Sequence, residues 1–519
     1  MTLVPFLLAG VGLALTWWCT GRFTPDRVCR HLILWSYVLK IFLAAFFYYA
    51  SVNGWPFLSE YNGGEGYWAF ADDAQAHHNL GLGLARAWSG VGSFPKITFG
   101  NWSFVVYVGC IYRFFGEHPL NVSFLNAWYG TVIALAALVV LRRLAARASS
   151  IRFGVGLLAF WPSLVFWSSQ PLKDPLLLAM ILLALTSFIV LMTPPSSHGW
   201  KWLGLVGLMG LLSITMQLFR AYIGAIFAVV VFVASGTLAV RAWRTRLFAL
   251  PRSCVVSGAM VPLCVLLASR VDPTVLAKPT PPSLNPPPVQ ASVLQVPYAP
   301  TPPLASGPTP APPASIPAEP RAVRSASVAR PPTSPVTIPQ RQALIAPRPS
   351  APPVQSAMKR KPPARVLAGL RRGFVSTGGH SAMDPKKQFH DPLDVLSYLP
   401  RGLAIAFLAP LPWQWFDAGG RVGILRPFAA IEMVLIYLLL GGVLLSLPEL
   451  HKHLGVHTAV LLGFVLLVAI PMSLTVANLG TLFRLRLQFL LPLWIVVALL
   501  DIFGGYRRGI TWVRHRIAR

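Results

Sequence analysis

Acidic and imidazole side chains crowd into one short stretch of an otherwise apolar sequence. The chain holds only 16 Asp and Glu residues. Four of them, Glu60, Glu65, Asp72 and Asp73, lie within a few turns of one another, and His77 and His78 follow at once in NGGEGYWAFADDAQAHHNLGLGLARAW. Asp73 and His77 are four apart, so a helix starting at the acidic pair stacks them on one face, with Asp72 on a neighbouring face. Carboxylates beside imidazoles, with Trp68 and Trp88 close in sequence, suit a general base that takes a proton from a hydroxyl. The same residues also suit a plainer role, with Asp72 or Asp73 as an N-cap and the rest a solvated loop. The residue types alone leave both readings open.

The elements that position this stretch are membrane helices. At 519 residues, 55% apolar and 12% charged, with a mean hydropathy of +0.60, the chain is far less charged than soluble domains, which carry about 25% charged residues. Apolar runs of spanning length recur near 2–19, 32–52, 121–141, 153–170, 175–193, 202–219, 221–240, 253–269, 427–447, 456–477 and 486–503. Each approaches the ~20 residues a helix needs to cross the hydrocarbon. The first run lacks a basic lead and a small-residue cleavage site, so it reads as an uncleaved span.

Arginines in short loops mark the cytoplasmic side. Four groups qualify: Arg22, Arg27 and Arg30; Arg142, Arg143, Arg147 and Arg152; Arg241, Arg244 and Arg246; and the tail from Arg507 to Arg519. About eleven spans put all four on one side when the N-terminus is outside. The expected protein is therefore an all-α, multi-pass protein of the cell inner (plasma) membrane, with a cytoplasmic C-terminus. Segments 53–120, 170–175 and 271–426 then face outward. Within the first, Trp102–Phe115 is apolar but short, as expected of a helix lying at the interface.

Residues 272–365 hold more than half of the 48 prolines, interspersed with Ala, Ser and Thr. Proline removes backbone donors and fixes φ, and few large apolar residues remain to offset ordering entropy. A disordered extracytoplasmic tether is expected at 271–365. It separates an N-terminal membrane domain, 1–270, from an amphipathic or re-entrant segment, 366–426, and C-terminal membrane helices with a basic tail, 427–519. The net charge of +28 does not point to nucleic acid, because no aromatic-rich basic groove or recognition motif accompanies it. The five cysteines, Cys19, Cys29, Cys110, Cys254 and Cys264, show no metal spacing, and His380 and His390 are too widely separated for a metal pair. Asn101-Trp-Ser and Asn121-Val-Ser match the glycosylation tripeptide, which chance supplies often.

An acidic pair after an early span, followed by a helix rich in His and Ala, resembles the first outer loop of GT-C glycosyltransferases, in particular the protein O-mannosyltransferase and aminoarabinose-transferase group. The likeness continues through VVYVGCIYRFFGEHPLNVSFLNAWYGTVIALAALVVLRRLAAR, an interfacial helix and a span closing on a double arginine, and through FWPSLVFWSSQPLKDPLLLAMILLAL, with its Lys173-Asp174 turn. It covers roughly 30–240. The extra first span, the Asp-Asp pair in place of the frequent Asp-Glu, and the Pro-rich tether depart from that group.

The resemblance implies a GT-C-like bundle whose first outer loop supplies the catalytic carboxylate, Asp72 or Asp73. It implies an inverting transferase moving a sugar from a polyprenyl-phosphate-linked donor to a glycan, lipid or protein acceptor on the non-cytoplasmic face. Basic residues would hold the departing phosphate; the outer candidates are Lys173, Arg220, Arg401, Arg484 and Arg486. Glu65, His77, His78 and Asp174 complete the expected substrate-binding set, although Lys173-Asp174 also reads as a local ion pair capping the next span. No cofactor is required, and a divalent ion is compatible with the resemblance without any ligand spacing demanding it. The expected partners are the lipid-linked donor, membrane lipids and the acceptor. Glu432, an acid inside an apolar run, reads as a hydrogen-bond hub or a substrate contact. It supports the alternative reading: a non-enzymatic transporter, flippase or assembly protein for lipid-linked glycans.

Overall fold

A computed structural model describes residues 3–95, 102–144, 146–192, 201–245, 252–271, 363–378, 381–416, 425–453, 455–500, 502 and 511. The expected Pro-rich tether and the basic C-terminal tail lie almost wholly outside the described residues. The described residues before 281 and after 360 pack as one unit, built almost entirely of helices.

Two helices, α1 (Val4–Phe23) and α2 (Arg27–Val52), form an opening hairpin. Asp26 caps α2 by accepting from the Val28 amide at 3.0 Å, the ordinary use of Asp at an N-cap. A two-stranded hairpin, β1 (Asn62–Gly64) and β2 (Tyr67–Trp68), leads into α3 (Asp72–Trp88), then α4 (Trp102–Phe115) and α5 (Pro119–Arg143). The chain continues through α6 (Ala148–Ala159), α7 (Pro162–Ser168), α8 (Asp174–Met192), α9 (Lys201–Phe219), α10 (Ala221–Thr245) and α11 (Arg252–Ala268). Beyond the Pro-rich region come α12 (Pro363–Gly378), α13 (Pro392–Leu408), α14 (Leu425–His453), α15 (Val456–Thr475), α16 (Leu479–Leu485) and α17 (Leu487–Leu499).

Hydrophobicity on all sides of a helix predicts burial on all sides, and this separates centre from rim. In the spanning windows of α5 and α8, 78% and 83% of residues are buried, against 22% and 28% for α1 and α2. The peripheral helices turn Trp17, Trp18, Trp35 and Phe42 outward, as a lipid-facing surface would.

Among the described residues, eight helices are long and apolar enough to cross a membrane, or up to ten if the bent pairs α6–α7 and α16–α17 each count once. This falls short of the eleven spans expected. The difference lies in α11, which has 17 residues with Pro262 inside and is shorter than the ~20 that a span needs. Each bent pair turns by 46°. Pro162 opens α7, and the residue before a proline is disfavoured in helix, so the chain breaks at Trp161.

The two bends share one buried ion pair. Arg486, at the α16–α17 bend, donates from Nη2 to Glu432 Oε1 on α14 at 2.6 Å, and the other Glu432 oxygen accepts from the Ser163 amide at 2.9 Å. Both side chains are 0% exposed. Arg486 Nη1 also donates to the Ala409 carbonyl at 2.7 Å. Lys40 meets the first break from α2, donating to the carbonyl of Ala159 at 3.0 Å. Carbonyls freed at helix ends need such partners.

The bundle has two distinct ends. At one, Arg152 pairs with Asp26 at 2.8 Å and Arg142 donates to the Phe23 carbonyl, so the first two basic loops lie side by side. At the other end sit the β-hairpin, α3, α4, the α7–α8 turn, the α9–α10 turn and α16.

Candidate functional site

Helix α3 carries the acidic pair and is held rigidly. It packs on α4 where Gly81 faces Gly109; a Cβ on Gly81 would run into Val108, and one on Gly109 would press on Trp88 at 3.1 Å. Arg86 on α3 makes a two-pronged contact with Glu117 beyond α4, at 3.1 and 2.7 Å. Asp73 and His77 do share a face of α3, as their spacing requires.

From that face Asp73 reaches the C-terminal half of the chain. Arg484 Nη2 on α16 donates to Asp73 Oδ2 at 2.7 Å. Arg484 Nε lies 3.0 Å from Asp174 Oδ2, close enough for charge attraction although its N–H is not aligned for a hydrogen bond. Arg220, at the α9–α10 turn, approaches Asp174 Oδ1 at 3.4 Å. Lys173, buried beside Asp174, feels the charges of Arg220, Arg484, Asp174 and Asp73. Asp73 is the open member, its side chain 45% exposed, against 15% for Arg484 and 3% for Asp174.

Several amide side chains brace this cluster. Asn126, inside α5, donates to the carbonyls of Gln170 and Leu172, both at 2.7 Å, and so fixes the turn that presents Lys173 and Asp174. Gln488 on α17 accepts from the Tyr222 hydroxyl at 2.8 Å, tying α10 to the bend below Arg484. Asn478 caps α16, accepting from the Gly480 amide at 3.0 Å and from Ser381 at 3.0 Å. Gln170 is buried, and its Nε2 meets no hydrogen-bond partner among the described residues.

Charge balance follows from these positions. Burial pushes the Asp73 carboxyl up, but the charge and hydrogen bond of Arg484 pull harder, so it titrates below the usual carboxylate value. Burial, and then the charge of Lys173, drive His77 down to about 4 against the opposing pull of Asp73. His77 is therefore neutral at pH 7, with its ring edge-on to Phe104 at 4.9 Å. Burial and then the Arg220 charge lower Lys173 to about 8. At neutral pH three cations, Lys173, Arg220 and Arg484, stand against two carboxylates, Asp73 and Asp174. Among the described residues the cluster thus carries one more positive than negative charge, in a partly dry setting.

The structure brings together six of the residues singled out from the sequence: Asp73, His77, Lys173, Asp174, Arg220 and Arg484. Asp72 begins α3, but its side chain lies outside the described residues. His78 turns away to Tyr112, whose hydroxyl is 2.7 Å from Nδ1, and burial followed by the charge of Arg86 lowers it to about 4. Glu65 sits exposed at the hairpin tip with φ of 53°. Arg401 grips Asp384 through two 2.7 Å bonds. Arg486, expected at an outer boundary, is instead sealed inside with Glu432, where it can meet no lipid phosphate. The bend that lifts Arg484 toward Asp73 turns Arg486 inward. The bracing amides Asn126, Gln170 and Gln488 belong to none of the motifs above; for the first, the signal in the sequence is an amide inside an apolar run. Among the described residues, no three His, Cys, Asp or Glu side chains stand together as a metal-ligand set. Comparison of the chain with known family models, curated proteins and solved structures finds no match.

Proposed function

We propose that the chain is an integral membrane glycosyltransferase of GT-C type, with Asp73 as its general base. The observation that carries this reading is the half-exposed Asp73 carboxylate paired with Arg484 and within the field of Lys173, with Arg220 joined to the cluster through Asp174, at the end of the bundle opposite the basic loops. Under the positive-inside rule that end is non-cytoplasmic. A polyprenyl-phosphate-linked sugar would present its phosphate there, at headgroup depth.

The acceptor hydroxyl oxygen would attack the anomeric carbon, and the bond from that carbon to the phosphate oxygen would break with inversion. The proton passes to Asp73, and the electron pair leaves with the polyprenyl phosphate. Lys173 and Arg220, with Arg484, supply fixed positive charge for the phosphate as its charge develops, which is worth more in a dry site than in water. Arg484 also orients Asp73 and keeps it ionised at neutral pH. Glycan, lipid and protein acceptors all fit this chemistry. The alternative, a carrier or flippase, rests on Glu432 and on the basic outer residues; pairing with Arg486 and Ser163 occupies both Glu432 oxygens, which leaves that alternative the basic residues alone.

The test is transfer from a polyprenyl-phosphate sugar in detergent by Asp73→Asn and Asp72→Asn. A positioned general base contributes roughly 10²- to 10⁴-fold, so Asp73→Asn should lose transfer by about that factor while still binding donor. Full transfer by Asp73→Asn, or equal loss in Asp72→Asn, would sink the assignment.

A further inference from the structure

Away from the cluster, toward the basic end, lies a cleft of about 750 Å³ framed by α1, α5, α8 and α9. Its walls are apolar along most of their length, with Val132, Leu135 and Val139 on successive turns of α5 facing Leu183 and Leu208. Three arginines, Arg22, Arg142 and Arg143, stand at one end, and among the described residues no acidic side chain lines it. We infer that this cleft binds one anionic phospholipid from the leaflet at the basic end, its phosphate held by Arg22, Arg142 and Arg143.

The dimensions favour a leaflet lipid over a longer carrier. From Arg142 to Val132 is ten residues of helix, roughly 15 Å at 1.5 Å per residue. That equals half of the ~30 Å hydrocarbon thickness, the depth one acyl chain fills. Trp128, one turn further along α5, also lines the cleft. The volume lies within the roughly 300–1,000 Å³ of ordinary ligand sites. Charge decides the headgroup. A hydrocarbon cleft alone accepts any lipid, whereas three guanidiniums at its end select a headgroup whose phosphate is not balanced by a cation of its own. Arg142 is oriented by donating to the Phe23 carbonyl, which also draws the end of α1 over the cleft. The lipid would thereby fasten the weakly buried α1 to the central α5 and α8.

The experiment uses the full chain purified in detergent, with phosphatidylglycerol and phosphatidylcholine as probes. Retained lipid is counted by native mass spectrometry, and thermal midpoints are recorded with each probe. One variant pair is Arg22→Gln with Arg143→Gln. Its matched control is Arg241→Gln with Arg244→Gln, two basic-loop arginines that do not line the cleft. A third variant, Val139→Phe, fills the cleft and keeps every charge. The unaltered chain should retain phosphatidylglycerol in preference to phosphatidylcholine and gain thermal stability from it. The cleft arginine pair and Val139→Phe should each lose that retention roughly tenfold or more, while the control pair keeps it. Midpoints in phosphatidylcholine show whether each variant still folds. Equal retention of both lipids by the unaltered chain overturns the proposal. So does loss in the control pair equal to that in the cleft pair, or full retention by Val139→Phe.

Discussion

Replacing Arg484 by glutamine removes the guanidinium that stands between Asp73 and Asp174. Asp73 is half exposed, so losing its 2.7 Å partner costs at most about 1 kcal/mol. Asp174 is different. Its side chain is 3% exposed, and without Arg484 it keeps Arg220 at 3.4 Å and the charge of neighbouring Lys173. Breaking a buried pair by removing one partner costs roughly 3–5 kcal/mol, because a charge is left unpaired; the surviving Arg220 contact brings the expected loss to about 3 kcal/mol. Asp174→Asn should cost about 2 kcal/mol, since Arg484 retains Asp73. The double variant should cost about 3 kcal/mol rather than 5, because the second substitution relieves the charge orphaned by the first. The coupling of about 2 kcal/mol is within the range for residues sharing one network. The assay is thermal unfolding of the purified chain in detergent, where roughly 2 °C per kcal/mol gives a drop of about 6 °C for Arg484→Gln. Strictly additive losses, or shifts within a degree for both single variants, would refute the claim that Asp73, Arg484, Asp174 and Arg220 act as one unit.

The buried pair at the two bends should be the most sensitive point of the fold. Glu432→Gln, which leaves Arg486 charged at 0% exposure, should cost about 3–5 kcal/mol in the same unfolding assay, whereas Glu432→Leu with Arg486→Met should cost clearly less. Donor binding should depend on pH through Lys173. Its ammonium is charged below about 8, so affinity for a polyprenyl-phosphate sugar, measured by equilibrium binding, should be full at pH 6.5 and fall as pH rises through 8. Lys173→Met should bind weakly and flatten that profile; an unchanged profile in this variant would remove Lys173 from the phosphate site. Sidedness is open to cysteine labelling. A cysteine at Asn79, exposed on α3, should react with an impermeant maleimide only from the non-cytoplasmic side of intact cells, and labelling confined to the cytosolic side would reverse the orientation.

Much of this protein was legible without coordinates because its rules are local. A helix that crosses hydrocarbon needs about twenty apolar residues, so the spans could be read as runs, and nearly every expected run overlaps a helix. Arginine in short loops marks one side, and the loops holding Arg22 and Arg152 do meet at one end through Asp26. Asp73 and His77 share a face of α3 because four residues is about one helical turn. The count of spans is not local in this way, since a 17-residue helix with an internal proline sits at the length limit where composition stops deciding.

The cluster itself belongs to tertiary structure. Asp73 and Arg484 are 411 residues apart, and no periodicity links them. Arg484 and Arg486 look alike in sequence, two arginines around one leucine, yet a 46° bend sends one to Asp73 and the other into a sealed pair with Glu432. Local sequence sets where a helix can run and which side its ends prefer. Which of two neighbouring arginines meets a carboxylate, and whether that carboxylate keeps contact with water, depends on packing between helices distant in the chain. That packing is where burial and charge pairing are decided together.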